Sequence, residues 1–265
     1  MITVLSATND DFYAMPLPFA VYSWLKAGAR TVIVFTPKGD NPKLHLAQKY
    51  CDKTTFLHYT CEEKRSVTYS QVLRLFGGCL RFTDHTESMV TGDSDMCVFG
   101  GTFINNDDGG IHIVGSDLTP PDQVPMCYIQ MPVYKWRNIM GCYDSETNLR
   151  TCQDCVSELI DPIEGLNIRG EQWNFDQWYA NKKLKESGED INYHARSNGQ
   201  NQFATHRADR DGWHFNPDGL VDAHLPRPLT DEDNMNKVYE LFKIKYPNDN
   251  LDWMWEYYHA YKQLL

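Results

Sequence analysis

The first hundred residues alternate short apolar runs with stretches whose apolar positions recur at helical spacing. Ile2 to Ala7 reads as a buried strand, and Pro16 to Ala27 (PLPFAVYSWLKA) predicts a helix with Phe19, Tyr22 and Trp24 among its large side chains. Gly28 suits the C-terminal cap of that helix. Thr31 to Phe35 is β-branched and apolar, the second strand; NPKLHLAQKYC predicts a second helix and TTFLHY a third strand. Ser66 to Phe76 predicts a third helix, with Val67, Ser70, Leu73 and Phe76 on one face and Arg74 in its middle. The run SMVTGD then reads as a fourth strand. Alternation of this kind predicts an α/β fold, a mostly parallel sheet with helices on both faces. Such sheets bind ligands at the carboxyl ends of their strands.

The second half is less regular. Gly110 to Gly115 and Met126 to Trp136 read as strands, joined by loops rich in Asp, Gly and Pro. A helix is expected over Glu171 to Gly188, while Ile191 to Leu225 is polar with little helical pattern. TDEDNMNKVYELFKIKY opens like a capping box, Thr230 standing three residues before Asp233. LDWMWEYYHAYKQLL predicts a closing helix whose aromatic spacing favours packing against the domain. No repeat, low-complexity tract or linker interrupts the chain, so a single domain is expected over all 265 residues.

A net charge of −11 without a Lys/Arg cluster argues against nucleic-acid binding, which needs local positive charge. The N-terminus lacks the basic and apolar regions of a signal peptide, and no apolar run is long enough for a membrane span. Cys152 and Cys155 form one C-x-x-C with Cys142 nearby; without a second such pair, free thiols and a cytoplasmic location are expected over a zinc site. Neither a G-x-G-x-x-G nor a phosphate-binding P-loop motif is present, and G-x-S-x-G is absent. Dinucleotide oxidoreductases, P-loop enzymes and α/β-hydrolases are therefore disfavoured.

The chemistry concentrates in SMVTGDSDMCVFG, Ser88 to Gly100, where Asp93 and Asp95 fall at the end of the fourth strand between apolar runs. Two ionised carboxylates there carry a heavy desolvation and repulsion penalty unless a cation compensates them. Mn²⁺ or Mg²⁺ accepts such oxygen ligands and bridges to phosphates. Two other D-x-D pairs, Asp209/Asp211 and Asp231/Asp233, lack this context, and the latter is accounted for as a helix N-terminus.

An apolar strand ending in D-x-D after an Arg-bearing helix resembles the GT-A nucleotide-sugar glycosyltransferases, and within them the glycogenin-like and bacterial galactosyltransferase-like retaining enzymes. VLSATNDDFY is similar to their first strand and nucleotide-contacting turn, YSQVLRLF and MVTGDSDMCVF to their donor helix and D-x-D strand. WNFDQW resembles their D-Q segment, and VDAHLPRP a late segment in which His precedes a basic residue and Pro. Two departures stand out: the late segment lacks the usual Gly and Trp, and Gly92 replaces a larger apolar residue.

The resemblance implies a GT-A, Rossmann-like mixed sheet flanked by helices, with residues 1–100 binding the nucleotide sugar and 101–265, ending in the C-terminal helices, binding the acceptor. It implies a hexosyl- or pentosyltransferase using a UDP-sugar and a glycan, protein or small-molecule acceptor. Asp93, Asp95 and His224 would hold Mn²⁺ (or Mg²⁺), with His214 as competing ligand. Ala7, Thr8, Asn9 and Tyr13 would line base and ribose; Arg74, Ser94 and Arg227 would meet the donor's phosphates or sugar. Asp176 and Gln177 would lie against the reacting sugar, although Asp176 paired with a Lys on a solvated helix is an equal reading. Trp173, Trp178 and Trp213 are core residues or sugar-stacking faces. Two rival classes stay open: a metal-dependent phosphohydrolase or nucleotidyltransferase using the same acids, and a non-catalytic carbohydrate-binding domain using the tryptophans.

Overall fold

The computed structural model describes residues 1–100, 108–145, 148–163, 171–196, 207–210, 213 and 217–265. Its centre is a seven-stranded sheet in the order β3-β2-β1-β4-β7-β6-β8. These strands are β1 (Ile2–Ser6), β2 (Thr31–Pro37), β3 (Thr54–Tyr59), β4 (Ser88–Thr91), β6 (Ile111–Val114), β7 (Ile129–Pro132) and β8 (Ile191–His194). β7 runs antiparallel to both β4 and β6, and the other pairings are parallel. A smaller sheet, β5 (Met96–Val98), β10 (Asp222–His224) and β9 (Arg207–Ala208), adjoins it.

The strands are apolar on both sides because both faces are covered. Along β1 and β2 the side chains alternate: Leu5, Val32 and Val34 enter one core, Ile2, Val4, Ile33 and Phe35 the other. The first core contains residues of α2 (Leu17–Lys26), α3 (Pro42–Lys49), α8 (Glu232–Lys245) and α9 (Asp252–Lys262). The second contains residues of α4 (Ser66–Leu73), α5 (Val133–Met140), α6 (Cys152–Ile160) and α7 (Phe175–Ser187). The closing helix packs as its aromatic spacing predicts. Tyr257 donates to Ala14 O at 3.1 Å, and Tyr261 to Asp11 Oδ1 at 2.8 Å on the short α1 (Asp11–Ala14). Among the described residues no helix is long and apolar enough to cross a membrane.

Several sequence expectations need correction. Met126 to Trp136 is not one strand: a 3₁₀ turn over Met126–Tyr128 leads into β7, and α5 follows Pro132. Buried Val133, Trp136, Arg137 and Met140 stand at helical spacing, a period hidden by the apolar run before them. The α4 helix stops at Leu73, and Arg74 opens a 3₁₀ segment through Cys79 rather than lying mid-helix. α8 is capped by Asp231, whose side chain accepts from Asn234 N at 3.0 Å; Thr230 instead offers its carbonyl to Tyr258. All eight cysteines are free thiols, with Cys79 Sγ 3.7 Å from Cys155 Sγ in the second core.

Candidate active site

β1 and β4 are neighbours, so the chain leaving each at its carboxyl end opens onto the same crevice. After β4, Gly92 N still bonds Val4 O at 3.0 Å, and the chain then turns through Asp93, Ser94 and Asp95 into β5. Gly92 explains its own departure from the family pattern. A Cβ there would lie 2.7 Å from Leu5 Cδ2 and 3.0 Å from Trp24 Cζ2, space already filled by the first core.

The small sheet brings the late segment to this turn. Antiparallel pairing of β10 with β5 sets His224 opposite Met96, and Leu225 N donates to Asp95 O at 2.9 Å. Asp222, two residues earlier on the strand, is fully buried and holds Arg196 at 3.0 and 2.5 Å while accepting from Tyr128 Oη at 2.7 Å. That ion pair ties β10 to the main body.

Asp95 is the most heavily bonded acid of the site. Its Oδ2 accepts from Arg227 Nη2 at 2.7 Å and Arg210 Nη2 at 2.8 Å, and lies 3.0 Å from His224 Nε2. Burial by itself raises its carboxyl pKa, but the charges and hydrogen bonds of His224, Arg210 and Arg227 overcome this and hold the pKa low. For His224, burial favours the neutral ring, while Asp95 and Asp209 outweigh it and raise the pKa.

Asp93 is half-buried and pairs with Arg74 Nη1. The same guanidinium donates to Gly92 O at 2.9 Å and to Asp176 Oδ2 at 2.9 Å. Asp176 opens α7, is 2% exposed, and accepts from Gln177 N through Oδ1. Burial pushes its carboxyl pKa up; Arg74 opposes that and Asp93 adds to it, with the upward direction prevailing. The reading of Asp176 as a solvated residue paired with Lys is thus corrected: its partner is Arg74. Arg74 is itself buried.

Two adjoining cavities open here. The smaller, about 270 Å³, is lined by Asp93, Ser94, Asp95, Asp176, Gln177 and His224 among others. The larger, about 1320 Å³, runs over Thr8, Asn9, Tyr13, Lys38 and Tyr59. Thr8, Tyr13, Trp173 and Arg227 border both. The Arg227 guanidinium lies 5.1 Å from the Tyr13 ring centre and 5.2 Å from that of Phe12. Several buried polar atoms at this crevice have no hydrogen-bond partner among the described residues: Thr8 Oγ1, Asn9 Oδ1, Ser94 Oγ, and the Nε atoms of Arg210 and Arg227.

Among the described residues expected to bind donor or metal, Ala7 lines neither cavity. It is 1% exposed and its amide donates to Phe35 O at 3.0 Å. His214 lies outside the described residues. Trp173 reaches the crevice, and Trp213 packs against the first core and against a small cluster of Ala208, Leu220, Ala223 and Leu241. Arg210 was missed by sequence reasoning. It stands between Asp209 and Asp211 in a polar stretch without periodicity, and no spacing marks it.

The ligand set expected for a divalent ion fits in kind, two carboxylates and an imidazole suiting Mn²⁺ or Mg²⁺. The 3.0 Å between Asp95 Oδ2 and His224 Nε2 also matches two neighbouring ligands set at right angles, each ~2.1 Å from an ion. Asp93 is turned toward Arg74, and among the described residues no three His, Cys, Asp or Glu side chains form a ready ion-holding group.

No protein-family model matches the chain, and no curated protein matches it. Solved structures do. A crystal structure of the galactosyltransferase LgtC in complex with donor and acceptor sugar analogues aligns over 96% of this chain and 99% of that one, at 12% identity and a TM-score of 0.49. A structure of an active-site mutant of LgtC aligns over the same shares at 14% identity and a TM-score of 0.50. A mixed sheet flanked by helices, in the order seen here, is thus the GT-A, Rossmann-like fold that the sequence motifs led us to expect.

Proposed function

We propose that this chain is a metal-dependent glycosyltransferase, moving a sugar from a UDP-sugar donor to an acceptor hydroxyl with retention of configuration. The observation that carries the reading is the anion seat at the carboxyl ends of β1 and β4. Arg210, Arg227, Ser94 and Thr8 each keep a buried polar atom without a partner among the described residues around the Asp93–Asp95 turn. A diphosphate supplies the acceptor oxygens such atoms lack. The fold is that of LgtC, a galactosyltransferase, which favours a nucleotide sugar as the carrier of that diphosphate.

When bound, Mn²⁺ (or Mg²⁺) held by Asp93, Asp95 and His224 would neutralise negative charge growing on the leaving diphosphate. Arg227, fixed over Tyr13 and against Asp95, presents its charge toward the same seat. Its attraction strengthens as the sugar–phosphate bond lengthens, so it favours the transition state over the bound donor. Thr8, Asn9 and Tyr13 receive base and ribose in the larger cavity. Asp176 and Gln177 flank the smaller one, where the sugar sits between them and the phosphates. Arg74 fixes the Asp176 carboxylate, which faces the positive charge developing at the anomeric carbon. The acceptor hydroxyl of a glycan, protein or small molecule enters beside Trp173, whose half-exposed ring offers a stacking face.

The test is a turnover screen across UDP-, GDP- and CMP-sugars, with Mn²⁺ and with chelator. Turnover of one UDP-sugar, lost on chelation, is expected. Release of inorganic phosphate or pyrophosphate in place of sugar transfer would move the chain to the phosphohydrolase or nucleotidyltransferase class. Sugar binding without turnover, untouched by Asp93→Ala, would make it a binding domain.

A further inference from the structure

Arg210 belongs to no motif, yet it takes the central position of the site. One of its nitrogens, Nη2, donates to Asp95 Oδ2 at 2.8 Å and also contacts His224 Nε2. Those are the two atoms whose 3.0 Å separation suits neighbouring ligands of one ion. A guanidinium nitrogen and a divalent ion cannot share that space, because both are cations and both need the lone pairs of Asp95 Oδ2.

The crowding on Asp95 sharpens the point. A carboxylate oxygen accepts about two hydrogen bonds. Here Oδ2 faces three nitrogens, from Arg227, Arg210 and His224. Of the two arginines, Arg210 is the less anchored. Arg227 is further held over the rings of Phe12 and Tyr13 and its side chain is 22% exposed, whereas the Arg210 side chain is 33% exposed. It therefore has room to swing toward solvent or toward a bound phosphate, while Arg227 stays.

We propose that Arg210 is an internal counter-cation that fills the ion's place between Asp95 and His224 and must be displaced for the divalent ion to bind. The inference rests on the reading of this site as an ion seat. Its consequence is a penalty on ion affinity: only the fraction of molecules with Arg210 swung away can take the ion, and the apparent dissociation constant rises by the inverse of that fraction. The arrangement keeps Asp95 charged and paired when no ion is present, which a buried carboxylate requires.

The experiment is a titration of Mn²⁺ alone, without nucleotide, into the full chain, following free Mn²⁺ by electron paramagnetic resonance. It compares the parent chain with Arg210→Met and Arg210→Gln, each checked for fold by circular dichroism, and with Asp95→Asn as the ligand-loss control. At least a fivefold tighter Mn²⁺ dissociation constant in both Arg210 variants, lost in Asp95→Asn, is the expected result. Equal or weaker binding in the Arg210 variants overturns this inference and leaves the ion seat standing. No Mn²⁺ binding by any of the proteins overturns the inference and the ion seat together.

Discussion

Removing Arg74 tests the electrostatic design of the site most directly. Arg74→Met leaves a side chain of similar reach beside the smaller cavity but takes the cation away from both Asp93 and Asp176. Asp93 is 31% exposed, so water replaces much of what it loses. Asp176 is 2% exposed and has no such recourse. A buried carboxylate stripped of its partner destabilises a fold by about 3 to 5 kcal/mol. Protonation sets a ceiling: holding an ordinary Asp neutral at pH 7 costs about 1.4 kcal/mol for each of roughly three pH units, so about 4 kcal/mol. This ceiling gives the prediction a pH signature. In the variant the folded-state pKa of Asp176 rises further above its unfolded value, so the stabilising contribution is present in acid and lost as pH rises. Urea denaturation should show the deficit of Arg74→Met growing by up to about 1.4 kcal/mol per pH unit above the parent chain's own raised Asp176 pKa, until the folded variant also ionises. Arg74→Met/Asp176→Asn carries no buried charge and should recover all but about 1 to 2 kcal/mol. A deficit below ~1 kcal/mol that is flat with pH, or a double variant no more stable than the single, would refute the reasoning.

Other outcomes follow from the same geometry. Gly92→Ala should destabilise by about 1 to 3 kcal/mol in thermal or urea melts, because its Cβ meets Leu5 and Trp24 in a filled core. Arg196→Met strands the fully buried Asp222 and should lose about 3 to 5 kcal/mol, with donor turnover falling in step as β10 and His224 lose their anchor. Asp93→Ala should lower sugar transfer at least about 100-fold with the fold intact by circular dichroism. Trp173 borders both cavities and is 39% exposed, so saturating UDP should quench tryptophan emission in the parent chain and much less in Trp173→Phe.

What the sequence determined by itself is what local pattern encodes. Short apolar runs and helical spacing in residues 1–100 marked β1 to β4 and the helices between them, since a strand buried on both faces must be apolar throughout. The acid pair at the end of β4 was visible for the same reason: charge within an apolar run is costly enough to need a purpose. The stretch after residue 125 was harder, because an apolar strand running directly into an amphipathic helix presents no break, and β7 and α5 merged into one run. Tertiary structure decided the partners. Nothing local in Phe175–Ser187 ties Asp176 to Arg74, 102 residues away; the buried cation between two acids exists only once α7 packs beside the 3₁₀ turn. Arg210 is the extreme case. It lies in a polar segment without period, and it acquires meaning only because β9, β10 and β5 align to carry it onto Asp95. A charge's neighbours are set by which chain segments meet in space, and spacing along the chain does not record that.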